Sequence, residues 1–214
     1  MVIMMITKDL LIYAITDRSW LKGQSLATVV DDVLKNGATF LQLREKNFSH
    51  DEMVAQAREI KKIANKYHVP FIINDDIYAA KEIDADGVHI GPNDIEFREA
   101  RKILGPDKII GVSARSVEAA LTAERAGADY IGAGAVFHTS TKDDATSLSF
   151  EELKKITRAV SIPVAAIGGI SYENMDMLKG TGINGIAVIS AIFGQTNPGE
   201  ATRELASKAK KLFL

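Results

Sequence analysis

The chain has 214 residues, with 26 Lys or Arg and 28 Asp or Glu, so its formal net charge at pH 7 is −2. This balance, without long runs of one sign, argues against a nucleic-acid-binding surface. The absence of cysteine excludes disulfide bonds, thiolate nucleophiles and cysteine-ligated zinc. The apolar segment Met1–Ile6 is too short to span a membrane and has no basic segment before it. We therefore expect no signal peptide and no membrane partner, and predict a cytoplasmic protein.

Eight short runs of apolar and β-branched residues recur along the chain. They are nearly continuous rather than alternating, which is typical of strands in a parallel sheet that is covered on both faces. The predicted strands are Leu10–Thr16, Thr39–Arg44, Pro70–Asn74, Gly87–Ile90, Lys108–Ser113, Tyr130–Gly134, Pro163–Ile167 and Gly185–Ser190.

Segments of helical period lie between these strands, with apolar residues at i, i+3, i+4 and i+7. Ser49 with Glu52, and Ser149 with Glu152, have the spacing of a capping box at a helix start. The predicted helices are Ser25–Asn36, Asp51–Tyr67, Ile77–Ile83, Ile95–Leu104, Val117–Ala126, Phe150–Val160, Tyr172–Lys179 and Pro198–Leu212.

The regular alternation of strand and helix predicts an α/β fold, a parallel eight-stranded (β/α)8 TIM barrel that forms a single domain over residues 1–214. No linker or low-complexity segment divides the chain. An open doubly wound sheet is the alternative, and it is disfavoured because no Gly-x-Gly-x-x-Gly follows the first strand.

Carboxylates follow two neighbouring predicted strands, at the end of the barrel where TIM-barrel active sites lie. Asp75 follows the third strand and Asp94 the fourth, so the two side chains can converge on one point. Paired carboxylates with few soft ligands nearby suit Mg²⁺, which takes its remaining ligands from water and substrate phosphates. Alternatively, each Asp caps the helix that follows its strand, although Asp76 could take that role after the third strand.

Cations follow the second predicted strand. Gln42 and Arg44 lie on the same side of this strand, with Leu43 opposite. An Arg that faces a barrel interior is costly unless an anion meets it. Lys46 extends the same edge. A salt bridge to Glu45 is the alternative, but one carboxylate would hold only one of these two cations.

Three hydroxyls and one ammonium follow the sixth predicted strand in series, as Thr139, Ser140, Thr141 and Lys142. Hydroxyl donors beside a fixed positive charge suit a phosphorylated small molecule. A surface turn is the alternative. Lys142 could also form a Schiff base, but its place in a hydroxyl-rich loop rather than inside a strand favours charge pairing.

A glycine pair follows the seventh predicted strand in Ile167-Gly-Gly-Ile170, and Ile189-Ser190 ends the eighth. TIM barrels commonly bind phosphate at this position through backbone N–H groups. The alternative is that Gly168 and Gly169 serve only a tight turn. The histidines form no cluster with carboxylates, and His89 is interpreted as a satisfied residue of the barrel interior.

These motifs together closely resemble the thiamine-phosphate synthase family. The resemblance runs through Ile15-Thr-Asp-Arg18, Gln42-Leu-Arg-Glu-Lys46, Ile73-Asn-Asp75, Asp86-Gly-Val-His-Ile-Gly91 with Asp94, Gly111-Val-Ser113, Thr139-Ser-Thr-Lys142, Ile167-Gly-Gly-Ile170 and Val188-Ile-Ser190. The family condenses 4-amino-2-methyl-5-(diphosphooxymethyl)pyrimidine, here called the pyrimidine pyrophosphate, with thiazole phosphate, giving thiamine phosphate and pyrophosphate.

The resemblance implies roles for individual residues. Arg44, Lys46 and Lys142 would be catalytic, by neutralising the charge of the leaving pyrophosphate. Asp75 and Asp94 would hold Mg²⁺. The pyrimidine pyrophosphate would be bound by Gln42, Leu43, Arg44, Glu45, Lys46, Asn74, Ser113 and Lys142. The thiazole phosphate would be bound by Thr139, Ser140, Thr141, Gly169, Ile189 and Ser190. In this family the pyrophosphate is thought to leave before the thiazole attacks, through a pyrimidine carbocation, so no general base is expected.

Two departures from the family pattern are visible: His138 stands where proline is usual, and the segment from Ala145 to Phe150 is altered. One alternative function is a thiazole tautomerase of the same fold, which would not need the full set of charges at Arg44, Lys46, Asp75, Asp94 and Lys142. Another is a non-catalytic phosphate-binding regulator, in which some of these charges would be lost. The sequence leaves the oligomeric state open, and a homo-oligomer is compatible with it.

Overall fold

The structure is a computed structural model that describes residues 2–91, 94–138 and 148–214, with the backbone alone for residues 2–5 and 94–96. Eight parallel strands form a closed barrel in which neighbours in the chain pair with each other and the last strand pairs with the first. This confirms the predicted TIM barrel. The strands are β1 (Ile12–Ile15), β2 (Phe40–Leu43), β3 (Phe71–Asn74), β4 (Gly87–Ile90), β5 (Ile109–Ala114), β6 (Tyr130–Gly134), β7 (Val164–Ile167) and β8 (Gly185–Val188).

Helices surround the barrel and lie between consecutive strands. At Ser49 the complete capping box is present, while at Ser149 the side chain accepts the N–H of Glu152. The helices are α1 (Val2–Asp9), α2 (Leu26–Lys35), α3 (His50–Tyr67), α4 (Ile77–Glu82), α5 (Asp94–Leu104), α6 (Val117–Ala126), α7 (Phe150–Ala159), α8 (Ser190–Phe193) and α9 (Pro198–Phe213), with 3-10 turns at Arg18–Trp20 and Met175–Leu178. In the part of the chain that is described, none of the helices combines the length and apolar character needed to cross a bilayer.

Three segments differ from the sequence-based prediction. Helix α1 was not predicted, and β1 begins only at Ile12. The predicted helix Tyr172–Lys179 is reduced to a 3-10 turn, because Asn174 accepts the N–H of Ser171 and donates to the carbonyl of Gly169. The predicted strand Gly185–Ser190 ends at Val188, and α8 begins at Ser190.

Side chains that point out of the barrel form an apolar layer beneath the helices. Leu41 and Leu43 of β2, and Phe71 and Ile73 of β3, are fully buried in this layer, where they pack with helix residues including Val30 of α2. Successive residues of a strand point to opposite faces, so the residues between them face the barrel interior. The strands are therefore apolar on both faces, as the continuous runs in the sequence predicted.

Aromatic rings fill much of the barrel interior. The rings of Tyr13, Phe40 and Tyr130 contact one another edge to face, with centroids 4.8 to 5.9 Å apart. Ile6 of α1 and Leu10 are buried in the same interior cluster, so α1 covers the amino-terminal end of the barrel. Burial of apolar area here stabilises the barrel by about 25 cal/mol per Å² removed from water.

The seam between β8 and β1 depends on a glycine. A Cβ atom at Gly185 would lie 1.9 Å from the carbonyl oxygen of Leu10. We expect Gly185→Ala to lower the free energy of unfolding by about 3 kcal/mol or more, at the upper end of overpacking costs, because backbone has to move. Urea denaturation followed by circular dichroism measures this loss.

The control is Gly180→Ala, where φ is +75° and the space is open, so backbone strain alone should cost about 1–2 kcal/mol. Equal losses in the two variants would contradict a tight seam.

Candidate active site

Two clefts open at the carboxyl ends of the strands, where TIM barrels carry their active sites. The first, here called the glycine cleft, is lined by Ser113 and Arg115 at the end of β5, Gly132, Gly134 and Ala135 at the end of β6, residues 167–170 at the end of β7, and residues 187–190 at the end of β8. The second, here called the β1–β2 cleft, is lined by residues 17–19 and 44–48.

The glycine pair in the first cleft is required by close backbone contacts. Gly168 and Gly169 have φ of +101° and +63°. A Cβ at Gly168 would lie 2.4 Å from that of Ala135, and a Cβ at Gly169 would lie 2.4 Å from the carbonyl oxygen of His138. Phe137 donates its N–H to the carbonyl of Gly168 at 3.0 Å. The glycines therefore do serve a tight turn, and that turn brings the segment after β6 against the cleft.

The other wall of the glycine cleft is the start of α8. Ile189 precedes this short helix with φ −114° and ψ −81°, and among the described residues no side chain caps the N-terminus. Ser190 is the first residue of the helix and is half-buried in the cleft wall. Uncapped N–H groups at the start of a helix favour an anion. The cleft is thus suited to a phosphate at its β7–β8 side.

A chain of hydrogen bonds runs through the barrel interior up to the same cleft. The amide nitrogen of Gln42 donates to the hydroxyl of Tyr13, which lies 2.8 Å from the hydroxyl of Tyr130. The Tyr130 hydroxyl lies 2.9 Å from Nδ1 of His89, and Nε2 of His89 lies 2.9 Å from Oγ of Ser113. Burial raises the pKa of both tyrosines well above the ordinary value, so both are neutral phenols.

Two adjacent acids, Asp75 and Asp76, follow β3 and have different roles. Asp76 caps α4, because its carboxylate accepts the N–H of Ala79 at 2.8 Å. Asp75 is exposed, has φ of +62°, and donates its N–H to the carbonyl of His89 at 2.9 Å. The amide of Asn74 donates to its carboxylate at 2.6 Å. The cap after the third strand is therefore Asp76, and the carboxylate of Asp75 stays at the barrel mouth.

Asp94 is the first residue of α5, but its side chain lies outside the described part of the structure. Within the described residues, no group of three or more histidine, cysteine or acidic side chains is arranged to hold a metal. Thr139, Ser140, Thr141 and Lys142 also lie outside the described residues.

The β1–β2 cleft contains an ion pair that the sequence did not reveal. Nη2 of Arg18 lies 3.3 Å from Oε1 of Glu45, whose side chain is only 6% exposed. Arg18 also lies over the ring of Phe48, 4.8 Å from its centroid. In the described part of the chain neither Arg44 nor Lys46 forms an ion pair, so the predicted alternative of a salt bridge to Glu45 is not what the structure shows. Both cations are left for an anion.

Most of the predicted residues that the structure describes lie at the carboxyl ends of the strands, but Leu43 does not present its side chain there. Gln42 is buried and faces the interior, Arg44 is half-buried, and Lys46 is exposed in the β1–β2 cleft. Leu43 instead has its side chain fully buried in the outer apolar layer, so only its backbone can meet a ligand.

Sequence reasoning gave no role to several residues that contact the site. Arg115 lines the glycine cleft, and Tyr130 and Tyr13 lead from Ser113 into the interior. The signal that could have found the tyrosines is the glycine opposite: a Cβ at Gly111 would lie 2.0 Å from Cζ of Tyr130. A glycine at an inward strand position indicates a large side chain facing it.

Known proteins resemble this chain over nearly its whole length. The model of a family described as thiamine monophosphate synthase matches residues 12–192. The chain belongs to this family. A thiamine-phosphate synthase from Clostridium tetani is 49% identical over 197 residues, covering 92% of this chain and 94% of that protein. One from Ruminiclostridium cellulolyticum is 48% identical over 205 residues, covering 96% and 94%.

A solved structure supports the same family. The thiamine phosphate pyrophosphorylase from Pyrococcus furiosus superposes with a TM-score of 0.90 and 40% sequence identity, covering 98% of this chain and 100% of that one. These relatives confirm the predicted membership of the thiamine-phosphate synthase family and the predicted transferase activity in thiamine biosynthesis. They give no support to the tautomerase alternative.

Proposed function

We propose that this barrel mouth joins the pyrimidine pyrophosphate to thiazole phosphate, with pyrophosphate as the leaving group. The observation that carries the proposal is the pair of clefts at one end of the barrel. One offers glycine backbone and an uncapped helix start, and the other offers two cations without a carboxylate partner among the described residues. Two anionic substrates would therefore bind side by side, with Asn74 on a strand between the two clefts and Ser113 in the wall of the glycine cleft.

The pyrimidine pyrophosphate is proposed to bind at the ends of β2, β3 and β5. Arg44 and Lys46 would face the pyrophosphate, since Arg18 already holds the carboxylate of Glu45. Leu43 would contribute through its backbone. Charge neutralisation by Arg44, Lys46 and Lys142 would be the main catalytic effect, because the leaving group gains charge as its bond breaks. The remaining binding residues would be Gln42, Glu45, Asn74 and Ser113.

The donor atoms at the end of β3 fit Mg²⁺. The exposed carboxylate of Asp75 is adjacent to the Asn74 amide, and the imidazole nitrogens of nearby His89 are engaged by Tyr130 and Ser113. Oxygen donors without a soft ligand suit a hard cation. Asp75 and Asp94 are proposed to hold it. When bound, the ion would supply positive charge to the pyrophosphate oxygens.

The thiazole phosphate is proposed to bind in the glycine cleft, through Gly169, Ile189 and Ser190 together with Thr139, Ser140 and Thr141. The bond from the pyrimidine methylene to oxygen breaks first, and pyrophosphate leaves with the electron pair. The thiazole nitrogen then donates its lone pair to the methylene carbocation and forms the C–N bond. This nitrogen carries no proton, so the step needs no general base, which agrees with a His89 that is hydrogen-bonded on both ring nitrogens.

A two-substrate assay tests the function directly. With Mg²⁺ and both substrates, we expect release of pyrophosphate and a product with the mass of thiamine phosphate, detected by mass spectrometry. Either substrate alone should give no such product. Folded protein that forms no product from authentic substrates would refute the synthase, and aromatisation of a thiazole precursor without C–N bond formation would identify a tautomerase.

The adjacent acids Asp75 and Asp76 provide a matched pair for the metal role. We expect Asp75→Asn to lower turnover by roughly 100-fold, which corresponds to about 2.7 kcal/mol of transition-state stabilisation. Asn tolerates the left-handed backbone at this position. Asp76→Asn should leave turnover nearly unchanged, because Asn caps a helix about as well as Asp. Steady-state kinetics measures turnover, and calorimetry should show thiazole-phosphate binding intact in both variants. Equal turnover in the two variants would reject the role of Asp75.

Substitution of Ser190 tests the proposed binding of thiazole phosphate in the glycine cleft. We expect Ser190→Ala to raise the KM for thiazole phosphate by roughly 10-fold, as for loss of a hydrogen bond to a charged group. The KM for the pyrimidine pyrophosphate should stay constant. Ser171→Ala is the control, because Ser171 donates its hydroxyl hydrogen bond to Glu173 and lies outside the glycine cleft. A similar rise of both KM values in Ser190→Ala would contradict this placement.

A further inference from the structure

The interior hydrogen-bond chain has a direction that follows from proton counting. A neutral tyrosine has one proton to donate, and a neutral imidazole donates from one nitrogen and accepts at the other. The hydroxyl of Tyr13 accepts from the amide nitrogen of Gln42, and its other described partner is the hydroxyl of Tyr130. The proton of Tyr13 therefore points to Tyr130.

The direction continues towards the cleft. Because the hydroxyl of Tyr130 accepts a hydrogen bond from Tyr13, it donates its own hydrogen bond to Nδ1 of His89, 2.9 Å away. An imidazole that accepts at Nδ1 carries its proton on Nε2. Nε2 lies 2.9 Å from Oγ of Ser113 and donates a hydrogen bond to that oxygen. With the Gln42 amide nitrogen facing Tyr13, the opposite direction would leave the proton of Tyr13 without a described acceptor in a fully buried site.

Glycines on the facing strands hold both rings in these positions. A Cβ at Gly111 would lie 2.0 Å from Cζ of Tyr130, and a Cβ at Gly132 would lie 3.0 Å from Cε1 of His89. Each ring thus occupies the space that a side chain would otherwise take. His89 is buried and its ring lies 5.6 Å from that of Tyr130, centroid to centroid. The ring nitrogens of His89 therefore keep their separate partners.

We propose that His89 is a positioning residue, which Tyr130 holds as the Nε2–H tautomer so that Ser113 presents its hydroxyl proton to the barrel mouth. Oγ of Ser113 accepts from His89 and keeps its own proton for an oxygen in the cleft. That Ser113 meets the pyrimidine pyrophosphate rests on the proposed function. The tautomer of His89 does not, and it is a property of the ligand-free protein.

NMR of protein labelled with ¹⁵N in the histidine rings tests the tautomer. The chain has four histidines, and the other three, His50, His68 and His138, are exposed, so replacing each by Gln assigns the signals. We expect a single Nε2–H form for His89 in the wild type. A single Nδ1–H form would overturn the proposal, since Ser113 would then donate into the chain instead of to the mouth.

Tyr130→Phe tests what selects the tautomer. The substitution keeps the ring and removes the hydroxyl, so we expect His89 to lose its single Nε2–H form. The control is Tyr78→Phe, which removes an exposed hydroxyl that bonds Glu99 and should leave the His89 signals unchanged. An unchanged Nε2–H form in folded Tyr130→Phe would show that Tyr130 does not set the tautomer and would overturn that part of the proposal.

A double-mutant cycle with Ser113→Ala separates positioning from general damage. We expect Tyr130→Phe to raise the KM for the pyrimidine pyrophosphate about 10-fold when Ser113 is present, and less than about 2-fold in the Ser113→Ala background. The KM for thiazole phosphate should stay constant. An equal rise in both backgrounds would show that Tyr130 acts without Ser113 and would overturn the proposal. If neither substrate turns over, the proposed function fails while the NMR result still decides the tautomer.

Discussion

The packing of the barrel interior depends on glycines that leave room for large aromatic rings on the facing strands. An eight-stranded barrel has an interior just wide enough for side chains to fill it. Tyr13 and Tyr130 reach across that interior until their hydroxyls meet at 2.8 Å. This is possible because Gly111 leaves room for the ring of Tyr130. A Cβ at that position would displace the ring and break the hydrogen-bond chain that ends at Ser113.

The charged residues at the barrel mouth also differ in whether they have a structural partner. Two acids at this end of the barrel have structural partners, Asp76 in helix capping and Glu45 in an ion pair. Asp76 caps α4, while the carboxylate of Asp75 remains exposed. Glu45 pairs with Arg18, and this keeps it from neutralising Arg44. The positive field for an anionic substrate therefore depends on a residue of the β1 loop that need not touch the substrate.

The sequence predicted the parts of the structure that local pattern controls. All eight strands were found in order, because buried parallel strands are continuous apolar runs. The predicted helix at Tyr172–Lys179 was wrong, because Asn174 bonds back to Gly169 and holds a turn. Helix α1 was missed, because what buries Ile6 is the end of the barrel rather than a neighbouring segment of chain.

The candidate site shows the same limit. The acids, cations and glycines at strand ends could be identified from the order of residues alone. The partner of Glu45 could not, since Arg18 is 27 residues away and reaches it only in the closed barrel. Nor could the chain from Gln42 to Ser113, in which Tyr13 and Tyr130 are separated by 117 residues. Such contacts depend on register between strands, which the sequence does not state.

The neutral side chains of the barrel interior, which lie below the charged residues of the barrel mouth, suit the proposed carbocation. Any nucleophile near the pyrimidine methylene would compete with the thiazole nitrogen and become alkylated. Phenolate is such a nucleophile, but tyrosine is ordinarily neutral at physiological pH, and burial raises the pKa of Tyr13 and Tyr130 further. Nδ1 of His89 accepts a hydrogen bond from the hydroxyl of Tyr130, which engages its lone pair. The interior therefore holds Ser113 in place through neutral groups, which are weaker nucleophiles toward the cation than phenolate.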